Sequence, residues 1–198
     1  MKTRDSDIKS EKTVLRSSIR RQLLTLSDAS KDAFSKKITK YFLTSGILHT
    51  LKSLFVYISQ PSEVNTCRLI KMALESGIKV YAPKIIDQHM SAHRLITAAD
   101  LTPGKWGILE PPITISSPTH IDLVITPGLA FTRQGTRLGR GAGFYDQWLA
   151  NNSYGRTMAL AYDITLLDDL PLSHNDIQID SIATETCFID CRAERCDI

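Results

Sequence analysis

The stretch LFVYISQPSEVNTCRLIKMALESGIKVYA, residues 54–82, decides the fold. Leu54 to Ile58 is an unbroken apolar run of strand length stopped by Ser59, Gln60 and Pro61, and a strand without polar alternation is one buried on both faces. Asn65 or Thr66 can cap a helix whose apolar face is Leu69, Ile70, Ala73 and Leu74, and Gly77 closes it before a second apolar run, Ile78 to Ala82. Strand, helix and strand in that order form a βαβ unit, which calls for parallel strands joined by a right-handed crossover. The predicted class is therefore α/β, three-layered, with a mostly parallel central sheet and helices on both faces.

Upstream, Leu15, Ile19, Leu23 and Leu26 recur at three- and four-residue spacing and predict a first helix. Ser27 and Asp28 can cap a second, carrying Phe34, Ile38, Tyr41 and Phe42 and ended by Gly46. Downstream, residues 84–118 read as loops and edge structure with a candidate strand at Ser91 to Ile96. Ile121 to Thr126 is the clearest buried strand, Phe144 to Ala150 a helix, and Thr157 to Tyr162 and Ile182 to Phe188 complete the sheet. No linker, repeat or low-complexity run divides the 198 residues, so residues 1–198 are expected to form one domain.

With 42% hydrophobic and 23% charged residues the chain has the composition of a globular protein. The net charge is +3, but Lys9, Lys12, Arg16, Arg20, Arg21, Lys31, Lys36, Lys37 and Lys40 crowd the first two helices. That face is either a solvated helix surface or an attractor of polyanions such as nucleic acid or a polyglutamate tail. The cysteines Cys67, Cys187, Cys191 and Cys196 match neither a CxxC pair nor a zinc framework, and the histidines show no ligand spacing. Free thiols, no signal-like segment and no apolar run of membrane-spanning length lead us to expect a cytoplasmic protein with no membrane partner.

Between the strand at Ile121 and the helix at Phe144 lies Arg137-Leu138-Gly139-Arg140-Gly141-Ala142-Gly143-Phe144-Tyr145-Asp146. Glycines let backbone amides approach an anion at a helix N-terminus, where the dipole favours negative charge, and arginines add forked hydrogen bonds. The segment is neither a P-loop nor a dinucleotide fingerprint. On chemistry alone it is a phosphate site or a flexible surface turn. Asp146, in the first turn of the helix, also suits the dipole by about 0.3 to 1 kcal/mol.

The segment, together with Lys12 to Arg16, Glu63 to Thr66, Trp106-Gly107-Ile108 with Glu110-Pro111, Asp122 to Phe131 and Asp176 to Asp180, resembles the 5-formyltetrahydrofolate cyclo-ligase family over almost the whole chain. The departures are Ala142, where many relatives carry Lys or Gly, and Phe144, where they carry Tyr. The resemblance implies a Rossmann-like fold of the broad sugar-phosphate isomerase and CoA-transferase group. It implies closure of 5-formyltetrahydrofolate to 5,10-methenyltetrahydrofolate with ATP as co-substrate and Mg2+ as cofactor, by a monomer whose partners are small molecules and not nucleic acid.

Matched by position, the resemblance implies that Lys12, Arg16 and Arg137 to Tyr145 (Arg137, Leu138, Gly139, Arg140, Gly141, Ala142, Gly143, Phe144, Tyr145) bind ATP. It implies that Ile58, Glu63, Trp106 and Arg140, Gly141, Ala142, Gly143 and Phe144 meet the folate. Asp146 and Asp176 would serve magnesium, with Arg140 and Asp146 catalytic. An isomerase or CoA-transferase would share the fold but consume no ATP. Against a nucleic-acid module, aromatic interleaving is sparse and no helix-turn-helix, RRM or OB pattern is evident.

Overall fold

The computed structural model describes residues 2–104, 107–114 and 118–196. In chain order the elements are α1 (Lys2–Leu23), α2 (Asp28–Thr44), α3 (Ile47–Thr50), β1 (Ser53–Val56), α4 (Cys67–Glu75), β2 (Lys79–Ile86), β3 (His89–Leu95) and the short strands β4 (Thr102–Pro103) and β5 (Leu109–Glu110). There follow β6 (Ile121–Thr126), β7 (Ala130–Phe131), β8 (Arg137–Leu138), α5 (Phe144–Asn151), β9 (Tyr154–Leu160), β10 (Ser181–Ala183), β11 (Phe188–Asp190) and α6 (Cys191–Cys196).

The central sheet has seven strands in the order β11-β10-β9-β6-β1-β2-β3. β10, β9, β6, β1 and β2 run parallel, and an antiparallel strand closes each edge. β1 is buried along its whole length, as expected of a strand covered on both faces by helices. The cap of α4 comes from Asn65, whose Oδ1 accepts from Cys67 N at 2.9 Å, while the Thr66 hydroxyl donates to Tyr57 O at 2.8 Å. Asn65→Ala is therefore expected to cost about 1 kcal/mol. For a chain of this size that lowers the melting temperature by roughly 2–4 °C, readable in a thermal melt.

Two sequence expectations are corrected. The segment 84–118 is more regular than loops: β2 continues to Ile86 and pairs with β3 from Val80↔Leu95 to Ile86↔His89. The reversal uses Asp87 and Gln88, both at positive φ (47° and 68°), so a primed two-residue turn forms without the glycine that announces one. The strand at Ile182 to Phe188 is two strands, because the Thr184 hydroxyl accepts from Thr186 N and Cys187 N and folds the chain back on itself.

Cys67, Cys187 and Cys191 are free thiols, and burial pushes the Cys191 thiol up to about 12; the side chain of Cys196 lies outside the described residues. Among the described residues no helix is long and apolar enough to cross a membrane.

Candidate active site

From β1 the chain steps to β2 on one side and later to β6 on the other. At such a reversal the loops leaving the strands part and leave a crevice beyond their carboxyl ends. A cavity of about 380 Å³ lies there, lined by Tyr57 and Ile58 after β1, Pro127 after β6, Pro83 and Ile85 of β2 and Met90 of β3. Its opposite wall is the segment Arg137 to Asp146.

That segment is held from both ends. The Arg137 side chain is 4% exposed; its Nη2 donates to Asp146 Oδ1 at 2.6 Å and its Nη1 to Pro127 O at 3.1 Å. Asp146 Oδ1 also accepts from Ile177 N at 3.2 Å. Gly143, at φ 70°, starts α5 in a left-handed conformation that a side chain would strain. Arg16 of α1 donates from Nε to Gly139 O at 2.9 Å. Lys12, one turn earlier, is ion-paired with Asp176 and donates to Ser173 Oγ at 3.0 Å, and Asp176 Oδ2 also accepts from Ser173 N at 2.7 Å. Burial lowers the pKa of Arg16, with Arg20 adding to the effect and Asp176 opposing it.

Across the cavity Arg140 reaches Glu63: Nη2 lies 2.9 Å and Nε 3.0 Å from Glu63 Oε1, and Nη2 also donates to Ser62 Oγ at 3.0 Å. Glu63 Oε2 accepts from Gln60 N at 2.8 Å, so the loop after β1 presents its carboxylate in one orientation. Two phenols line this end. Tyr57 donates to Val64 O at 3.0 Å, whereas the Tyr145 hydroxyl and Arg137 Nε are buried without a hydrogen-bond partner among the described residues. Burial, reinforced by Glu63, raises both phenols well above the usual value, so they remain protonated donors at neutral pH. An orphaned donor on a cavity wall is a group that an acceptor on a ligand would satisfy.

The structure brings Ile58, Glu63, Arg137, Gly139, Arg140, Ala142, Gly143, Phe144, Tyr145 and Asp146 onto this one cavity. Lys12, Arg16 and Asp176 stand behind it, joined to the loop through Gly139 and to Asp146 through Ile177, the neighbour of Asp176. Leu138 is a core side chain, and Gly141 lies against Arg16 rather than on the wall. Trp106 lies outside the described residues. Asp146 is held by Arg137 and Ile177 N, and Asp176 by Lys12 and Ser173 N; among the described residues no group of three or more His, Cys, Asp or Glu side chains could hold a metal ion by itself.

Sequence reasoning missed the apolar wall of Ile85, Met90 and Ile108, and Glu110 within it. The signal was present: Glu110 and Lys84, charged residues within otherwise apolar runs, mark a polar group that the fold encloses.

The sequence profile of the 5-formyltetrahydrofolate cyclo-ligase family matches residues 8–185. The mitochondrial 5-formyltetrahydrofolate cyclo-ligase of Arabidopsis thaliana is 31% identical over 204 residues, covering 88% of this chain and 74% of that protein. The 5-formyltetrahydrofolate cyclo-ligase of Mus musculus is 26% identical over 196 residues, covering 90% and 95%. Among solved structures, the 5,10-methenyltetrahydrofolate synthetase of Aquifex aeolicus superposes with a TM-score of 0.82 at 27% identity, covering 91% of this chain and 93% of that one. With a profile match from the first helix to the turn before β11, and a shared fold, the chain belongs to the 5-formyltetrahydrofolate cyclo-ligase family.

Proposed function

We propose that the protein closes 5-formyltetrahydrofolate to 5,10-methenyltetrahydrofolate, consuming ATP and releasing ADP and phosphate. The observation that carries this reading is the single cavity in which an apolar wall, the Glu63–Arg140 pair and the glycine-rich segment Arg137 to Asp146 face one another. A planar, largely apolar ring and a polyphosphate can meet in such a space.

The formyl oxygen is a poor leaving group, so the reaction first converts it into a good one. In the proposed sequence that oxygen attacks the γ-phosphorus, the bond to ADP breaks, and the carbon becomes an iminium phosphate. N10 then attacks this carbon and loses its proton, the carbon–oxygen bond breaks, and phosphate leaves. The protein's task is positioning and charge neutralisation. Lys12, Arg16, Arg137 and the amides from Leu138 to Tyr145 would take the phosphates. Arg140 would neutralise the transferring group, and Ile58 and Glu63, with Ala142, Gly143 and Phe144, would meet the folate.

The residues present fit a magnesium ion. Asp146 and Asp176 each hold one oxygen on a cation and a backbone N–H, and a sparse pair of hard donors suits an ion that takes its other ligands from phosphate and water. When bound, magnesium would neutralise phosphate charge. Free thiols suit a cytoplasmic setting, and the reading needs only small-molecule partners and one copy of the chain acting as a single domain.

The test is to mix protein, ATP, magnesium and 5-formyltetrahydrofolate and follow the absorbance of the methenyl product. Product formation and ADP release, each dependent on both substrates, are expected. Absence of folate-dependent ADP release would remove the reading and favour an isomerase-like or CoA-transferase-like activity.

A further inference from the structure

We infer that His93 is a positioning residue for the folate wall of the cavity. Neutral, it pins the segment 108–114 that carries Ile108; protonated, it releases that segment and weakens folate binding. This rests on the folate reading above and adds to it a control by pH.

The β2–β3 hairpin has two faces. Pro83, Ile85 and Met90 line the cavity, and alternation along the strands puts Lys84, Ser91 and His93 on the face turned away from it. The segment 108–114 begins at the cavity with Ile108 and is held on that second face at two places. Lys84 Nζ lies 3.2 Å from Glu110 Oε2 and donates to Pro111 O at 3.1 Å. His93 Nδ1 accepts from Thr114 N at 2.9 Å.

His93 is 5% exposed, and the proposed reaction leaves it without a task. A ring nitrogen that accepts an amide hydrogen carries no proton, so the proton of neutral His93 is on Nε2, 2.9 Å from Ser91 Oγ. A second proton would set Nδ1–H against the Thr114 N–H. The Thr114 hydroxyl, 3.2 Å away, remains an acceptor for the charged ring but leaves the amide without one. Lys84 of β2 and Glu110 of β5 are the charged groups acting on the ring; Arg94 lies over Tyr81 on the other face, and α4, packed on β2, has Arg68, Lys71 and Glu75 exposed. Burial lowers the His93 pKa below the usual histidine value, Lys84 adds to the effect and Glu110 opposes it. The pin therefore holds at neutral pH and fails as the pH falls through that lowered value. One proton strains both attachments, since charged His93 also competes with Lys84 for Glu110.

The competing role for His93 is plain burial, and two variants separate the two. His93→Asn keeps an acceptor at the position of Nδ1 and cannot take up a proton. His93→Leu removes the acceptor at every pH. KM for 5-formyltetrahydrofolate, KM for ATP, kcat and a thermal melt are measured for wild type and both variants from about pH 5 to pH 8, where histidines titrate. Amide hydrogen exchange of residues 108–114 is measured alongside, without substrates. Each wild-type value is divided by that of His93→Asn at the same pH, which cancels the titration of the substrate and of other groups.

The folate KM ratio is expected to rise roughly 3- to 10-fold toward the acid end, the worth of about one hydrogen bond, while the ratios for ATP KM and kcat stay flat. Exchange in 108–114 should quicken over the same range in wild type and not in His93→Asn. His93→Leu should show the raised folate KM at every pH; where it fails to fold, the wild type and His93→Asn still decide. A histidine that is only buried would move the melts and leave the folate ratio flat. A flat ratio, or exchange that follows one course in wild type and His93→Asn, defeats this inference alone. A wild type that neither binds 5-formyltetrahydrofolate nor forms product defeats the functional reading and the inference with it.

Discussion

Arg140→Lys is expected to lower turnover by roughly a hundredfold while leaving the melting temperature near wild type. The guanidinium already grips Glu63 through two nitrogens and Ser62 through one of them, a forked geometry that a single ammonium cannot copy. It belongs to the loop proposed to meet the transferring phosphoryl group, where losing one well-placed donor costs on the order of 10²–10³ in rate. The Arg140 side chain is 35% exposed and that of Glu63 8%, but lysine keeps a positive charge beside the carboxylate, so the exchange leaves no buried charge without a counter-charge. Turnover and melt therefore separate the roles. A lysine variant that turns over like wild type would take Arg140 out of the reaction.

Asp146→Asn is expected to lower both. If Asp146 serves magnesium, turnover falls on the order of a hundredfold, about 2.7 kcal/mol of transition-state stabilisation. As a helix-start charge alone the residue would add only about 0.3 to 1 kcal/mol to stability. The structure enlarges that expectation, because Asp146 is the charge partner of Arg137, whose side chain is 4% exposed. Replacing the carboxylate with an amide leaves the guanidinium short of a counter-charge, at a cost of about 1–3 kcal/mol. A magnesium titration divides the two effects: raising magnesium should recover part of the turnover and none of the melt. A variant with wild-type turnover and wild-type magnesium dependence would remove Asp146 from the proposed metal site.

What the sequence made legible follows from the range of the forces involved. β1, α4 and β6 could be read because burial on both faces or on one stripe leaves a local pattern. The β2–β3 hairpin escaped because Asp87 and Gln88 adopt positive φ through tertiary pairing and without a glycine. The split of β10 from β11 depends on one threonine hydroxyl capturing two amides, which composition does not reveal. At the site, the resemblance named Glu63 and Arg140 as near neighbours of the same ligands, and they are in contact. The Arg137–Asp146 and Lys12–Asp176 pairs could not be foreseen, because Asp146 had been read as a metal donor or a helix-start charge and Asp176 as a metal donor, and a charge pattern does not say which partner a carboxylate holds. The wall of Ile85 and Met90 depends on the hairpin and was lost with it, whereas Glu110, a charge in an apolar run, was visible and went unread.

The anchoring of α1 carries a consequence for the birth of the molecule. Lys12 and Arg16 are made 123 to 164 residues before their partners Gly139, Ser173 and Asp176. At roughly 5–20 residues per second, about 6 to 33 seconds separate each from its partner. Throughout that interval Lys12 and Arg16 lack those acceptors, although Ile19 and Leu23 belong to the core that buries them in the finished fold. Docking of α1 on the site therefore has to wait until Asp176 has been made, and the partly synthesised chain exposes apolar surface that the finished fold covers.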